Sequence, residues 1–122
     1  MIRHSIVRIA AALTFVFAAS AAFAHAQLEK ATPPVGGAVT PPAEIRLKFS
    51  EGVEPRFSGV ALTAAGGASL PLGRPSVDPA DNSVLIVKVG KTLPPGVYTV
   101  TWHAVSVDTH HTQGDFQFTV TP

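Results

Sequence analysis

Glu44-Ile45-Arg46-Leu47-Lys48-Phe49 alternates without a break, with Ile45, Leu47 and Phe49 on one face and Glu44, Arg46 and Lys48 on the other. Period-2 alternation of apolar and charged side chains is the signature of a strand with one face buried. Ser83–Val89 is a nearly continuous β-branched run and reads as a second strand. Val97–Ser106 reads as a third, with Tyr98, Val100, Trp102 and Ala104 sharing a face. In a fourth, Gln113–Thr121, Phe116, Phe118 and Val120 alternate with Asp115, Gln117 and Thr119. Shorter candidates are 28–31, 57–64 and 69–72. Breakers separate them: Pro33-Pro34, Gly36-Gly37, Pro41-Pro42, Gly66-Gly67, Asp81-Asn82 and Pro94-Pro95-Gly96. No window beyond the N-terminal region carries a 3.6-residue apolar stripe. About seven short strands, frequent turns and an inward Trp predict an all-β, immunoglobulin-like β-sandwich without its disulfide.

The N-terminus is of another kind. Arg3, His4 and Arg8 precede an apolar run from Ile9 to Ala19, and small residues end in Ala22-Phe23-Ala24. A basic start, a short apolar run and an A-x-A ending describe a secretory signal peptide over residues 1–24, too short to span a bilayer of ~30 Å. Ala24-His25-Ala26 also satisfies the small-x-small rule, so two cleavage points are open. Arg3 and Arg8 are not adjacent, which favours ordinary Sec-type secretion over the twin-arginine route. Cleavage after Ala24 leaves a single domain, residues 25–122, with seven basic and eight acidic side chains. A net charge of −1 gives no basis for binding nucleic acid or an anionic membrane.

Of the 122 residues none is cysteine, which excludes disulfides, thiolate zinc sites, iron–sulfur clusters, covalent haem and a lipoprotein anchor. The domain must hold itself together by its apolar core. Gly90-Lys91-Thr92 has the tail of a phosphate-binding loop, but the required upstream glycine is Leu85, so it reads as a turn. Ser106, Asp108 and His110 contain the letters of a hydrolytic triad, yet they stand two apart on one segment, whereas triad members converge from separate loops. Glu51 and Glu54, on a Gly/Pro-containing stretch, read as a solvated pair.

The histidines carry more. His103 has the opposite parity to Trp102 and reads as an exposed strand residue. Asp108, His110 and His111 fall in the link between the last two strands, where Asp-x-His sets a carboxylate and an imidazole on one side of extended chain. Cleavage after Ala24 would make His25 the first residue. Its α-amine and imidazole can then chelate one ion in a six-membered ring. With a further imidazole and a carboxylate this makes a set of three nitrogens and one oxygen, which suits tetragonal Cu(II), the strongest binder of the divalent series.

These stretches together resemble the CopC family of secreted copper-binding proteins over essentially the whole of residues 25–122. The resemblance rests on His25-Ala26-Gln27-Leu28, Thr32-Pro33-Pro34-Val35-Gly36-Gly37, Leu47-Lys48-Phe49-Ser50-Glu51 and Gly96-Val97-Tyr98-Thr99-Val100-Thr101-Trp102. Most specific are Val105-Ser106-Val107-Asp108-Thr109-His110 and the following Gly114-Asp115-Phe116-Gln117-Phe118-Thr119-Val120. It implies a seven-stranded Greek-key sandwich in the periplasm, binding one Cu(II) through His25, Asp108 and His110. It also implies a CopD-type inner-membrane protein as recipient, and a monomeric carrier or scavenger rather than an enzyme. Two departures stand out. The only methionine is Met1, so the methionine-rich Cu(I) loop of some members is absent, and His111 replaces a common proline. His103 stands where arginine is frequent. Two other function classes fit parts of the pattern: a copper-dependent polysaccharide monooxygenase with a histidine brace, and a metal-free adhesion or chaperone module. Against the former, Asp108 would fill a position that oxygen activation needs open.

Overall fold

The computed structural model describes residues 26–122. The leader read over residues 1–24, and His25 itself, lie outside the described residues. Among the described residues nine strands follow in chain order: β1 (Leu28–Thr32), β2 (Ala38–Val39), β3 (Glu44–Phe49), β4 (Gly59–Ala64), β5 (Ser69–Leu70), β6 (Ser76–Asp78), β7 (Asp81–Lys88), β8 (Gly96–Val105) and β9 (His111–Val120). They form two sheets, one in the order β1-β3-β7-β6 and the other β2-β9-β8-β4-β5. All pairs are antiparallel except β2 with β9. The β-sandwich expected from alternation is therefore the architecture observed.

Alternation decides what lies between the sheets. Ile45, Leu47 and Phe49 of β3 are fully buried, as are Leu85 and Val87 of β7 facing them in register. Across the gap stand Tyr98, Val100, Trp102 and Ala104 of β8 with Phe116, Phe118 and Val120 of β9. Burial of a large apolar side chain stabilises by about 1.5–3 kcal/mol, and this layer is the principal source of stability in a chain without cross-links. The Trp102 ring meets Phe49 edge-on, centroids 5.1 Å apart, and so joins the two sheets. Opposite Trp102 in the ladder is Gly114, where a Cβ would stand 2.7 Å from the indole; glycine is needed there for close approach. The Tyr98 hydroxyl donates to the Pro94 carbonyl at 2.6 Å, which satisfies its polar end.

The differences from the sequence reading lie at short elements and boundaries. β2 and β6, of two and three residues, were not expected, because no periodicity is legible over so few positions. The stretch 57–64 becomes a strand only at Gly59. Residues 54–58 are a turn, in which Phe57 N–H and the Ser58 hydroxyl both donate to the Glu54 carbonyl. β9 begins at His111, paired with Val105, so His111 belongs to a strand and not to the link.

On the outer face of the β1–β7 sheet, Arg46 bridges Glu44 and Asp78, and Lys48 bridges Asp81. The Asp81 carboxyl is held down to about 2, chiefly by hydrogen bonds from the Ser83 hydroxyl and N–H, with Lys48 adding to them. A depressed carboxyl contributes stability that is fully present above its unfolded value of ~3.9 and is lost as pH falls through its folded value. Acid unfolding followed by circular dichroism should therefore be shallower between about pH 4 and about pH 2 for Asp81→Asn than for the parent. An unchanged slope would remove Asp81 from the acid response.

Candidate metal centre

The link between β8 and β9 is a tight turn at one end of the sandwich. Thr109 N–H donates to the Ser106 carbonyl at 2.8 Å, closing a four-residue turn, and Ser106 N–H donates to the His110 carbonyl at 2.9 Å. Thr109 has φ 73°, the one positive φ of a non-glycine among the described residues. A β-branched residue in the left-handed region costs about 1–2 kcal/mol, so the surrounding bonds must impose it. They fold Asp108 and His110 toward each other. His110 Nδ1 lies 3.1 Å from Asp108 Oδ1. The two groups do converge, but through a turn and not through the extended alternation expected from Asp-x-His.

Ser106 completes this cluster. It is fully buried, its hydroxyl donates to Asp108 Oδ1, and it accepts from His110 N–H at 3.2 Å. The Asp108 carboxyl is held down to about 2, first by the Ser106 hydroxyl and then by His110. It is thus a carboxylate throughout the neutral range. The order of contacts is not that of a hydrolytic triad, in which histidine stands between serine and acid. Here the acid stands in the middle, and the serine proton is already committed to it.

Two donors 3.1 Å apart have the spacing of cis ligands on one ion, since bonds of ~2.1 Å at a right angle place their donors ~3.0 Å apart. An imidazole nitrogen and a carboxylate oxygen are both groups that a divalent transition metal takes as ligands. Among the described residues no third His, Cys, Asp or Glu joins this pair in a metal-holding group. The third expected ligand, His25, lies just ahead of the first described residue. Ala26 is fully buried, and its carbonyl accepts from the Thr112 hydroxyl at 2.7 Å, two residues beyond His110. Gln27 exchanges bonds with Ser50: its N–H donates to Ser50 Oγ at 2.9 Å, and Ser50 N–H donates to its carbonyl at 2.8 Å. The chain entering β1 is thereby tied down beside the turn.

His103 is exposed on the outer face of β8, as its parity predicted, and lies across Gly59 of β4. His111 is exposed as well and alternates with Thr112, away from the Ala26 clamp. The solvated reading of Glu51 needs correction. Glu51 is half-buried, and its Oε1 is the buried side-chain oxygen that lacks a hydrogen-bond partner among the described residues. The neighbouring Gly52 carbonyl accepts from Val107 N–H at 3.0 Å, which folds this turn against the Asp108 turn. Nothing in local sequence distinguishes Glu51 from Glu54; only the packing of the two turns does.

The family model of the CopC domain matches residues 28–121. The chain belongs to the CopC family. Copper resistance protein C of Escherichia coli is 38% identical over 108 residues, covering 84% of this chain and 86% of that protein. Protein YobA of Escherichia coli K12 is 40% identical over 111 residues, 90% of each. Copper transport protein CutJ of Bacillus subtilis is 29% identical over 109 residues, which are 88% of this chain and 20% of CutJ, so there the CopC-like region is part of a much longer protein. Among solved structures, PcoC, a methionine-rich copper resistance protein from Escherichia coli, superposes with a TM-score of 0.73 at 34% identity, covering 80% of this chain and all of PcoC. CopC from Methylosinus trichosporium OB3b gives 0.75 at 28% identity, covering 80% of this chain and 95% of that one. This CopC-family chain shares the fold of the methionine-rich PcoC while its only methionine is Met1.

Proposed function

We propose that this CopC-family protein is a periplasmic carrier of Cu(II), not an enzyme, and that it passes copper to an inner-membrane protein of the CopD type. In this reading residues 1–24 are a secretory leader, and the mature monomer starts at His25. One Cu(II) is held by the α-amine and imidazole of His25, the Asp108 carboxylate and the His110 imidazole.

The observation that carries the proposal is the bond from the Thr112 hydroxyl to the Ala26 carbonyl. It ties Ala26, the residue that follows His25 in the sequence, to a residue two positions beyond His110, which supports His25 as the partner of the Asp108–His110 pair. The donor set supports the oxidation state, because three nitrogens and an anionic oxygen favour Cu(II), whereas Cu(I) prefers thiolate and thioether. The domain without its leader has neither sulfur ligand. Reduction would then release the ion, which suits a carrier. Relatives named for copper resistance and copper transport agree with cargo handling.

Intact mass of the secreted protein, with and without Cu(II), tests the start and the stoichiometry together: a chain beginning at His25 and gaining one copper is expected. Titration under a reducing competitor should find only weak Cu(I) binding. A chain starting at Gln27, or a second tightly held copper, would contradict the proposal. Thr112→Val removes the clamp while nearly keeping the volume. It should weaken Cu(II) binding by roughly tenfold, the low end for loss of a residue that supports metal ligands, and leave the far-ultraviolet spectrum unchanged. Undiminished affinity in this variant would mean that the arm docks without the clamp.

A further inference from the structure

We infer that Ser106 is a positioning residue for copper, one that holds the Asp108 carboxylate by a single oxygen and thereby sets how that carboxylate meets the metal. The inference rests on the ligand set proposed above and concerns a residue that does not touch the ion.

Ser106 is fully buried at the end of β8, where it forms an isolated bridge with Val53. A buried hydroxyl needs partners, and this one has a choice. The His110 carbonyl lies 3.4 Å from its oxygen, at the limit of a hydrogen bond, whereas the contact with Asp108 Oδ1 is much closer. The proton therefore goes to the carboxylate. Both side-chain contacts of Asp108, from Ser106 and from His110 Nδ1, fall on Oδ1; Oδ2 takes neither. The same Ser106 oxygen accepts from His110 N–H, and its backbone spans the turn through His110 and Thr109. One residue thus ties the carboxylate, the backbone of the imidazole-bearing residue and the left-handed Thr109 into one rigid unit.

The chemical consequence follows from where the proton sits. A hydroxyl that donates to a ligating oxygen lowers its electron density and fixes its direction. A carboxylate free to rotate about its Cβ–Cγ bond can swing from one-oxygen to two-oxygen contact. With Oδ1 held beside His110 Nδ1, Asp108 would offer that one oxygen to a bound ion. Residues that orient ligands in this way typically change metal affinity by about 10–100-fold when removed.

Ser106→Ala, Ser106→Thr and Asp108→Ala, each prepared with His25 as first residue, are compared with the parent for Cu(II) affinity and for the electron paramagnetic resonance spectrum of the Cu(II) form. Ser106→Ala is expected to stay folded, to bind Cu(II) at least about tenfold more weakly, and to show altered copper hyperfine and g values. Ser106→Thr, which retains the hydroxyl, should restore the parent spectrum. A turn-capping role alone would lower thermal stability and leave the spectrum of the bound copper unchanged; that result overturns the inference. The underlying ligand set fails separately, if Asp108→Ala binds Cu(II) like the parent. Should Ser106→Ala not fold, nuclear magnetic resonance of the parent protein decides. A slowly exchanging Ser106 hydroxyl proton with its contact to Asp108 supports the role, and one directed at the His110 carbonyl refutes it.

Discussion

One extra residue ahead of His25 is expected to weaken Cu(II) binding by more than about 100-fold, exceeding the loss usually seen when a supporting residue is removed. The extension leaves every side chain in place. It turns the α-amine into an amide, which no longer offers a lone pair at neutral pH, and so would break the six-membered chelate ring of the proposed ligand set. His25→Ala removes the other half of that ring and should be equally damaging. The amine has a reference pKa of ~7.7–8.0 and must lose its proton on binding, so affinity of the unextended protein should fall as pH drops below neutrality. The Asp108 carboxyl, held at about 2, stays ionised over that range, so the fall belongs to the nitrogen ligands, amine and imidazole alike. Isothermal titration with Cu(II) of the two forms, at two pH values, measures both effects. An extended protein with undiminished affinity and an identical spectrum would exclude the amine as a ligand.

The second large effect is on the fold. Phe49→Ala should cost about 3–5 kcal/mol, from lost transfer energy and the cavity left behind. Phe49 is fully buried, and its contact with Trp102 spans the two sheets, so neighbours on one sheet cannot close the gap. Domains of this size have about 5–15 kcal/mol in total. The melting temperature should drop by roughly 15 °C or more. Phe49 also immediately precedes Ser50, whose bonds to Gln27 hold the start of β1, so the damage reaches the metal end. Thermal denaturation with and without Cu(II) tests this. Copper should recover part of the loss, because an ion that binds only the folded chain stabilises it by mass action. A loss below about 1 kcal/mol would mean that the sheets close over the gap.

Much of this was legible in the sequence because alternation and burial are the same fact seen twice. The strict pattern of Glu44–Phe49 became a strand with three fully buried side chains, and the opposite parities of Trp102 and His103 became an inner and an outer face. β2 and β6 were not legible, since two or three residues are held by partners distant in sequence and not by their own pattern. At the site, Asp108 and His110 could be named from their types and spacing. Ser106 could not be assigned its part, because the letters suggested a triad and only geometry puts the acid between the other two. Glu51 was hidden for a related reason: its burial comes from the packing of two turns separated by more than fifty residues. His25 remains a reading of the sequence, supported by the clamp on the residue that follows it.

The sheet margins have a bearing on how the protein behaves in a crowded compartment. Of its two longest strands, of ten residues each, β8 lies between β9 and β4, and β9 is flanked on its other side by β2 at Thr119 and Val120. The margins are taken by β2 and β5 with two residues apiece, by β6 with three and a break in register, and by β1 with five and a register shift of its own. A short or irregular margin offers no continuous row of unpaired amides for another chain to extend. The margin strands themselves therefore give another chain little to extend, whereas β9, which β2 covers only at Thr119 and Val120, presents the longer open edge, and that edge starts at the Asp108–His110 turn.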